Sequence, residues 1–306
     1  MGLKKMKAMG IDIGGTNTAV SICSSAGKTL GHFDFSTPTS AKPEKTIEGI
    51  LKIIAGKYPL DEIGAAAMAV PGMISPGKGF VFCAPNLGWK NFSVKKAVMK
   101  YHKFKKLVFE NDASCAALGV YENYSGAKPD FLVALTLGTG IGSGFVSGGK
   151  IFSRGDISVF EAGHIKIIPE GLRCGCGAKG CLEAYCGSAY MNNWAWKLFP
   201  GTRSAAALSP REICGQSRKG ALWAKKIWKQ YGLYLGLAVS DIVNLLVPDK
   251  IVFTGGLAGA YSEFKEGLRI SMDRNILPPY RKSVSTGVCA RKRYIGADGA
   301  AKLALL

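Results

Sequence analysis

Acidic residues are scarce in this sequence: 21 Asp and Glu stand against 40 Lys and Arg in 306 residues, a formal net charge of +19. Long apolar runs are missing too. The longest uncharged stretch, residues 131–149, is broken by glycines throughout, which excludes a membrane helix. With 47% hydrophobic residues the composition also excludes a disordered chain. Met1-Gly2-Leu3-Lys4-Lys5-Met6-Lys7 has neither an apolar leader nor a small-residue cleavage site, so a cytoplasmic protein is expected. The cysteines number nine, an odd count without a secretion signal, and this argues against a disulfide framework. The basic balance suits nucleic acid, a membrane surface or an anionic substrate such as a nucleotide. Because the charge is spread along the chain and no reading module is recognisable, nucleic acid is not the expected partner.

What is present reads as two α/β units of roughly 150 residues each. Residues 7–13, 18–23 and 29–35 are short apolar or alternating runs between glycine- and serine-rich turns, the pattern of a three-stranded meander. A helical spacing over 43–57 follows, then a buried strand over 63–70 closed by Pro71-Gly72. Ser93 is placed as the N-cap of a helix reaching Tyr101. A strand over 107–110 runs into a helix over 113–121, so Asn111 and Asp112 stand where a strand end becomes a helix start. From Asp130 a similar order begins again, with strands at 131–137, 142–146 and 150–152. Later come a helical run over 219–247, a strand over 250–254 and a helix over 256–270.

Both units open with a strand entering a glycine-rich hairpin, Asp12-Ile13-Gly14-Gly15-Thr16-Asn17 and Leu137-Gly138-Thr139-Gly140. Gly14, Gly15 and Thr16 can bring N–H groups and a hydroxyl to a phosphate, and Asp12 can hold a hydrated Mg²⁺. One such hairpin is as well explained by a turn needing positive φ; two of them suggest a polyphosphate clamp. Neither has the Gly-Lys-Ser/Thr ending of a P-loop, and the first lacks the three-glycine dinucleotide spacing. His164, Cys174, Cys176 and Cys181 place four N/S ligands within eighteen residues, the donor set of a closed, structural Zn²⁺ site. The alternative is three buried thiols and an unrelated histidine. The lysines at 95, 96, 100, 103, 105 and 106 read as a solvated helix face and the loop after it, and Trp223, Trp228, Tyr231 and Tyr234 as core or subunit-interface packing.

Taken in order, Asp12-Ile13-Gly14-Gly15-Thr16, Glu110-Asn111-Asp112-Ala113, Leu137 to Gly142, Glu161-Ala162-Gly163-His164, Cys174 to Glu183 and Thr254-Gly255-Gly256 resemble the ROK family of sugar kinases and sugar-responsive repressors. The hairpins are common to actin-like ATPases, whereas the histidine–cysteine segment is specific to this family. The resemblance implies an α/β protein of two RNase H-like (actin/hexokinase-type) domains with a cleft between them and a zinc-bound loop. Its domains would be residues 1–113, joined by a returning helix over 294–306, and 114–293. Asp112 is then the general base, and Asn86, Asn111, Asp112, Glu161, His164 and Glu183 bind the sugar. Asp12, Gly14, Gly15, Thr16, Asn17, Gly138, Thr139, Gly140, Gly255 and Gly256 bind the nucleotide. His164, Cys174, Cys176 and Cys181 hold zinc.

The implied activity is transfer of the γ-phosphoryl group of ATP, with Mg²⁺, to a hexose hydroxyl, first of all that of glucose, by a homodimer. The alternatives are an N-acetylglucosamine or N-acetylmannosamine kinase and a non-catalytic sugar-sensing regulator. Family repressors carry a helix-turn-helix before the first hairpin, and only nine residues precede Gly10 here. Two departures stand out. Phe160 occupies a place usually held by glycine before Glu161, and residues 154–159 do not follow the expected pattern. Family fructokinases tend to have histidine where this chain has Cys176, which favours glucose or an N-acetylhexosamine.

Overall fold

The structure, a computed structural model, describes residues 7–153, 156–157, 160–198, 208–289 and 293–306. Residues 1–6 of the leaderless N-terminal reading, and 154, 155, 158 and 159 of the divergent stretch, lie outside them. The strands are β1 (Lys7–Ile13), β2 (Asn17–Cys23), β3 (Thr29–Ser36), β4 (Ile63–Val70), β5 (Met73–Ser75), β6 (Phe80–Ala84), β7 (Trp89–Ser93), β8 (Lys106–Asn111), β9 (Phe131–Leu137), β10 (Ile141–Ser147), β11 (Lys150–Ile151), β12 (Lys250–Thr254) and β13 (Ser285–Val288). The helices are α1 (Pro43–Lys57), α2 (Val94–Tyr101), α3 (Asp112–Glu122), α4 (Glu183–Cys186), α5 (Asn192–Leu198), α6 (Pro210–Arg218), α7 (Leu222–Leu246), α8 (Tyr261–Asn275) and α9 (Ile295–Leu305). None of the described helices is long and apolar enough to cross a membrane.

Two five-stranded mixed sheets share one plan. The first has the order β3-β2-β1-β4-β8 and the second β11-β10-β9-β12-β13, so in each an antiparallel meander is extended by two parallel strands. The chain divides into two compact units: residues up to 128 with 144–160 and 293–306, and residues 129–143 with 161–292. The sequence places the boundary at residue 113, whereas α3 belongs with the first unit.

Alternation along β1 explains the layering of that unit. Met9, Ile11 and Ile13 point to one face and meet Ile47, Ile50, Leu51 and Ile54 of α1, whose spacing makes one apolar stripe. Ala8 and Gly10 point to the other, where Ala67 and Ala69 of β4 keep the surface flat and Ala300, Ala301 and Ala304 of α9 rest on it. Asp12 ends the same small-residue row. Ser93 does cap α2, its hydroxyl accepting from the Lys96 N–H, and all six lysines of the basic stretch are exposed. Strands β5, β6 and β7 form a separate antiparallel sheet that carries Asn86 on a 3₁₀ turn, Pro85–Leu87.

In the second unit α7 and α8 lie against each other with Gly232 facing the α8 backbone and Gly267 facing that of α7. The 219–247 run begins instead at Leu222, preceded by the separate α6, and the first residues after Gly255 form a 3₁₀ turn, Gly256–Ala260, before α8 starts. Trp228 and Tyr231 are fully buried, as the core reading requires, while Trp223 and Tyr234 are half-buried.

The packing of α3 on α9 gives a stability test. A Cβ at Gly299 would run into the Cys115 carbonyl and sit 2.7 Å from the Gly119 nitrogen, both backbone atoms that cannot swing aside. Gly299→Ala should therefore cost roughly 1–3 kcal/mol in urea unfolding followed by circular dichroism. Gly56→Ala, on α1 with open space around it, should gain about 0.5–1 kcal/mol in the same experiment. Equal effects from the two would show that the α3–α9 contact is not tight.

Candidate functional site

In the first unit the hairpin after β1 is closed by the Gly14 N–H donating to the Asn17 carbonyl at 2.9 Å, and by Thr37 Oγ1 donating to the Gly14 carbonyl at 2.7 Å. Gly15 faces the backbone carbonyl of Asn86 with no room for a side chain, so the hairpin and the turn bearing Asn86 are in contact. Asp12 meets the start of α9, where a side chain at Gly296 would strike its carboxylate. Its pKa is pushed up to about 7, first by burial and then by the negative charge of Asp112. Two carboxylates therefore share one region.

The β8–α3 junction divides the work between neighbouring residues. Asn111 is the N-cap: its side-chain oxygen accepts from Ala113 N at 2.9 Å and Ser114 N at 3.1 Å, while its amide nitrogen donates to the Gly72 carbonyl at 3.1 Å. Both ends of that amide are committed to the scaffold. Asp112 is the first residue of α3 and takes one bond at 2.9 Å from the Ala113 N–H. Burial raises its pKa, and hydrogen bonds from the helix start oppose the rise. Glu110, given no role from sequence, is buried just before it; its Oε1 accepts from Asn111 N at 2.7 Å, and burial pushes its pKa up to about 7. The signal was a carboxylate inside an apolar strand.

In the second unit the Gly138–Gly140 loop is closed by Gly138 N donating to the Gly140 carbonyl at 3.0 Å. Glu183, at the head of α4, accepts from Ile141 N at 3.0 Å through Oε2 and from Cys174 Sγ at 3.6 Å through Oε1. It thus braces the hairpin against the cysteine loop. A cavity of about 670 Å³ is lined by Gly138, Thr139, Ser188, Arg211, Gly256 and Leu257, among others. Gly255 makes the turn into it with φ of 83°. Ser188 and Arg211 were missed from sequence. The capping box formed by Ser209 and Glu212, with Pro210 between them, was the available sign of the helix that carries Arg211.

The same unit gathers His164, Cys174, Cys176 and Cys181, with all four ligand atoms within 4.8 Å of one another. Cys174 Sγ lies 3.8 Å from His164 Nδ1, and Cys176 Sγ 3.7 Å from Cys181 Sγ. Zn–S bonds of about 2.3 Å at tetrahedral angles would put ligand atoms about 3.6–3.8 Å apart, so the donor set fits zinc. Gly180, with φ of 78° and its α-carbon against the Ile168 carbonyl, permits the turn that returns Cys181 to the cluster. Glu161, exposed, begins the turn that carries His164, its carbonyl accepting from His164 N at 2.9 Å.

Phe160 adopts φ of 71°, a conformation suited to glycine, and its ring lies against that of Phe145 at 3.9 Å between centroids, tilted by 31°. Of the remaining thiols, Cys23, Cys115, Cys186, Cys214 and Cys289 are buried and Cys83 half-buried.

A raised acid pKa means that the folded chain holds its proton more tightly than the unfolded chain. Stability contributed by Glu110 is therefore present near pH 4.5 and lost as pH rises to about 7, on the order of 3 kcal/mol. Glu110→Gln keeps an acceptor for Asn111 N and removes the charge. Its urea midpoint should exceed that of the parent at pH 8 and match it near pH 4.5, and an unchanged pH slope would clear Glu110 of the effect.

Comparison with known proteins agrees with this architecture. The profile of the ROK family matches residues 8–305. A glucokinase of Streptomyces coelicolor is 29% identical over 97% of this chain and 96% of its own length. The DNA-binding transcriptional dual regulator NagC of Escherichia coli is 27% identical over 99% of this chain and 77% of its own. The ROK family glucokinase of Streptomyces griseus, solved in complex with glucose and AMPPNP, superposes with a TM-score of 0.79 at 27% identity, covering 97% of this chain and 99% of that one. With a match that spans nearly its whole length, the chain belongs to the ROK family.

Proposed function

We propose that this chain is an ATP-dependent hexose kinase whose first acceptor is the 6-hydroxyl of glucose. The observation that carries this reading is the division of labour at the β8–α3 junction. Asn111 satisfies the helix start, which leaves the Asp112 carboxylate fixed in place and not needed as a cap. A rigid, partly desolvated carboxylate is what proton abstraction from a hydroxyl requires. Asp112 would take the proton of the attacking sugar oxygen. Asn86, Glu161, Glu183 and the Nε2 of His164 would orient the acceptor.

On the donor side, the N–H groups of Gly138, Thr139 and Gly140 would receive phosphate oxygens, and the cavity reaching Gly256 is large enough for a nucleoside. Gly14, Gly15, Thr16 and Asn17 offer the second set of donors. Asp12 suits Mg²⁺, since a divalent cation would relieve the repulsion that raises its pKa beside Asp112. Bound there, the metal would neutralise charge on the transferred phosphoryl group. Zinc held by His164, Cys174, Cys176 and Cys181 would be structural, with no ligand position left open. The relatives named glucokinase support glucose among the acceptors.

The test is ADP release with ATP and Mg²⁺ across glucose, mannose, fructose, glucosamine, N-acetylglucosamine and N-acetylmannosamine. Asp112→Asn should lower kcat by about 10²–10⁴-fold while sugar and ATP still bind in calorimetry. Because burial raises the Asp112 pKa, kcat/KM of the parent should fall on the acid side with a midpoint above the ordinary aspartate value near 4. Full activity in Asp112→Asn would remove it as the base. Turnover confined to an N-acetylhexosamine would replace glucose, and binding of sugar without turnover on any of them would favour the regulator.

A further inference from the structure

The cysteine–histidine cluster has a neighbour that the zinc assignment leaves unexplained. Lys166 extends its ammonium group to within 2.7 Å of Cys181 Sγ. The contact is built into the backbone. Lys166 and Cys181 are partners in an antiparallel bridge, flanked by Ile167 N donating to Gly180 O at 2.9 Å and Leu182 N donating to Ile165 O at 2.8 Å. Residues directly opposite in such a pair share a face, so the backbone sets the lysine stem beside the sulfur.

Charge supplies the reason for the contact. Three thiolates, one neutral imidazole and Zn²⁺ sum to about −1, an anionic centre that must be balanced where it is shielded from water. Cys181 is fully buried, in contrast to the exposed Cys176, so its sulfur has the least access to solvent. Among the described residues no carboxylate pairs with Lys166, whereas Lys179 on the same ribbon is engaged by Glu170 at 3.0 Å.

We infer that Lys166 is a positioning residue for the metal centre: its ammonium group donates a hydrogen bond to the Cys181 thiolate, balances the excess negative charge, and so sets how firmly zinc is retained. This rests on the cluster being a zinc site and is independent of which sugar is used. The consequence reaches the acceptor residues, because the Ile165–Leu182 backbone bond lies between His164 and Glu183 in the paired ribbon. Loss of metal would release the register that holds both.

The experiment measures zinc affinity by chelator competition, and the rate of zinc transfer to a colorimetric chelator, on the purified full chain. Lys166→Met, which keeps the length and removes the charge, should weaken zinc binding by about 10–100-fold, as loss of outer-sphere partners does elsewhere. Lys166→Arg should restore most of the affinity and Lys179→Met should leave it unchanged, with circular dichroism confirming that each variant is folded. Should Lys166→Met misfold, Lys166→Gln takes its place in the comparison. Unaltered affinity in the neutral variant, or an equal loss in Lys179→Met, would overturn the role of Lys166 and leave the zinc site standing. A parent protein that binds no zinc would overturn both.

Discussion

The small-residue row on one face of β1 and β4 is the constraint on which the first unit depends. Ala8, Gly10, Ala67 and Ala69 leave so little side-chain volume that α9 can approach the sheet backbone itself, and Gly119 and Gly299 let α3 approach α9 in turn. Each of these contacts forfeits the burial of a large side chain and gains close backbone packing in its place. The row ends in Asp12, so the flat face delivers a carboxylate to the rim of the sheet with a helix start beneath it. The opposite face, filled by Met9, Ile11 and Ile13 against α1, supplies the ordinary apolar core that anchors this arrangement.

Much of this was legible in sequence because the signals were local. The meander, α1, the Ser93 cap and β12 follow from periodicity, Pro43 at a helix start, and runs of buried residues bounded by turns. Strands β5, β6 and β7 were not legible. They are short, and Pro76-Gly77-Lys78-Gly79 between the first two reads as a loop with nothing to mark the residues beside it as paired. Edge strand β13, Ser-Thr-Gly-Val, has no apolar alternation because half of it is exposed. Its place comes from parallel pairing with β12, a long-range contact that composition does not encode.

The candidate site was legible as residue types and not as a division of roles. Asn111 and Asp112 could both have been caps, and only the hydrogen bonds show that Asn111 takes two N–H groups of the helix start while Asp112 takes one. Glu183 was expected to face sugar, and its Oε2 also accepts from Ile141 N, a scaffold contact that residue type alone does not announce. Glu110 was visible inside a strand, but its meaning depends on burial, which a motif does not report.

His164 stands in both the proposed zinc set and the proposed sugar-binding set. Its Nδ1 faces Cys174 at 3.8 Å, and an imidazole bound to metal through one nitrogen carries a proton on the other. Metal binding therefore fixes the tautomer and points a donor away from the cluster, toward whatever the Ala162–His164 turn faces. The cysteine loop need not touch a ligand to matter: it fixes His164 directly and Cys181 two residues before Glu183, whose Oε2 accepts from Ile141 N, so the turn bearing His164 and the hairpin after Leu137 are tied to a single ribbon. A loosened metal should thus disturb both together, a coupling that independent binding residues on separate loops would not show.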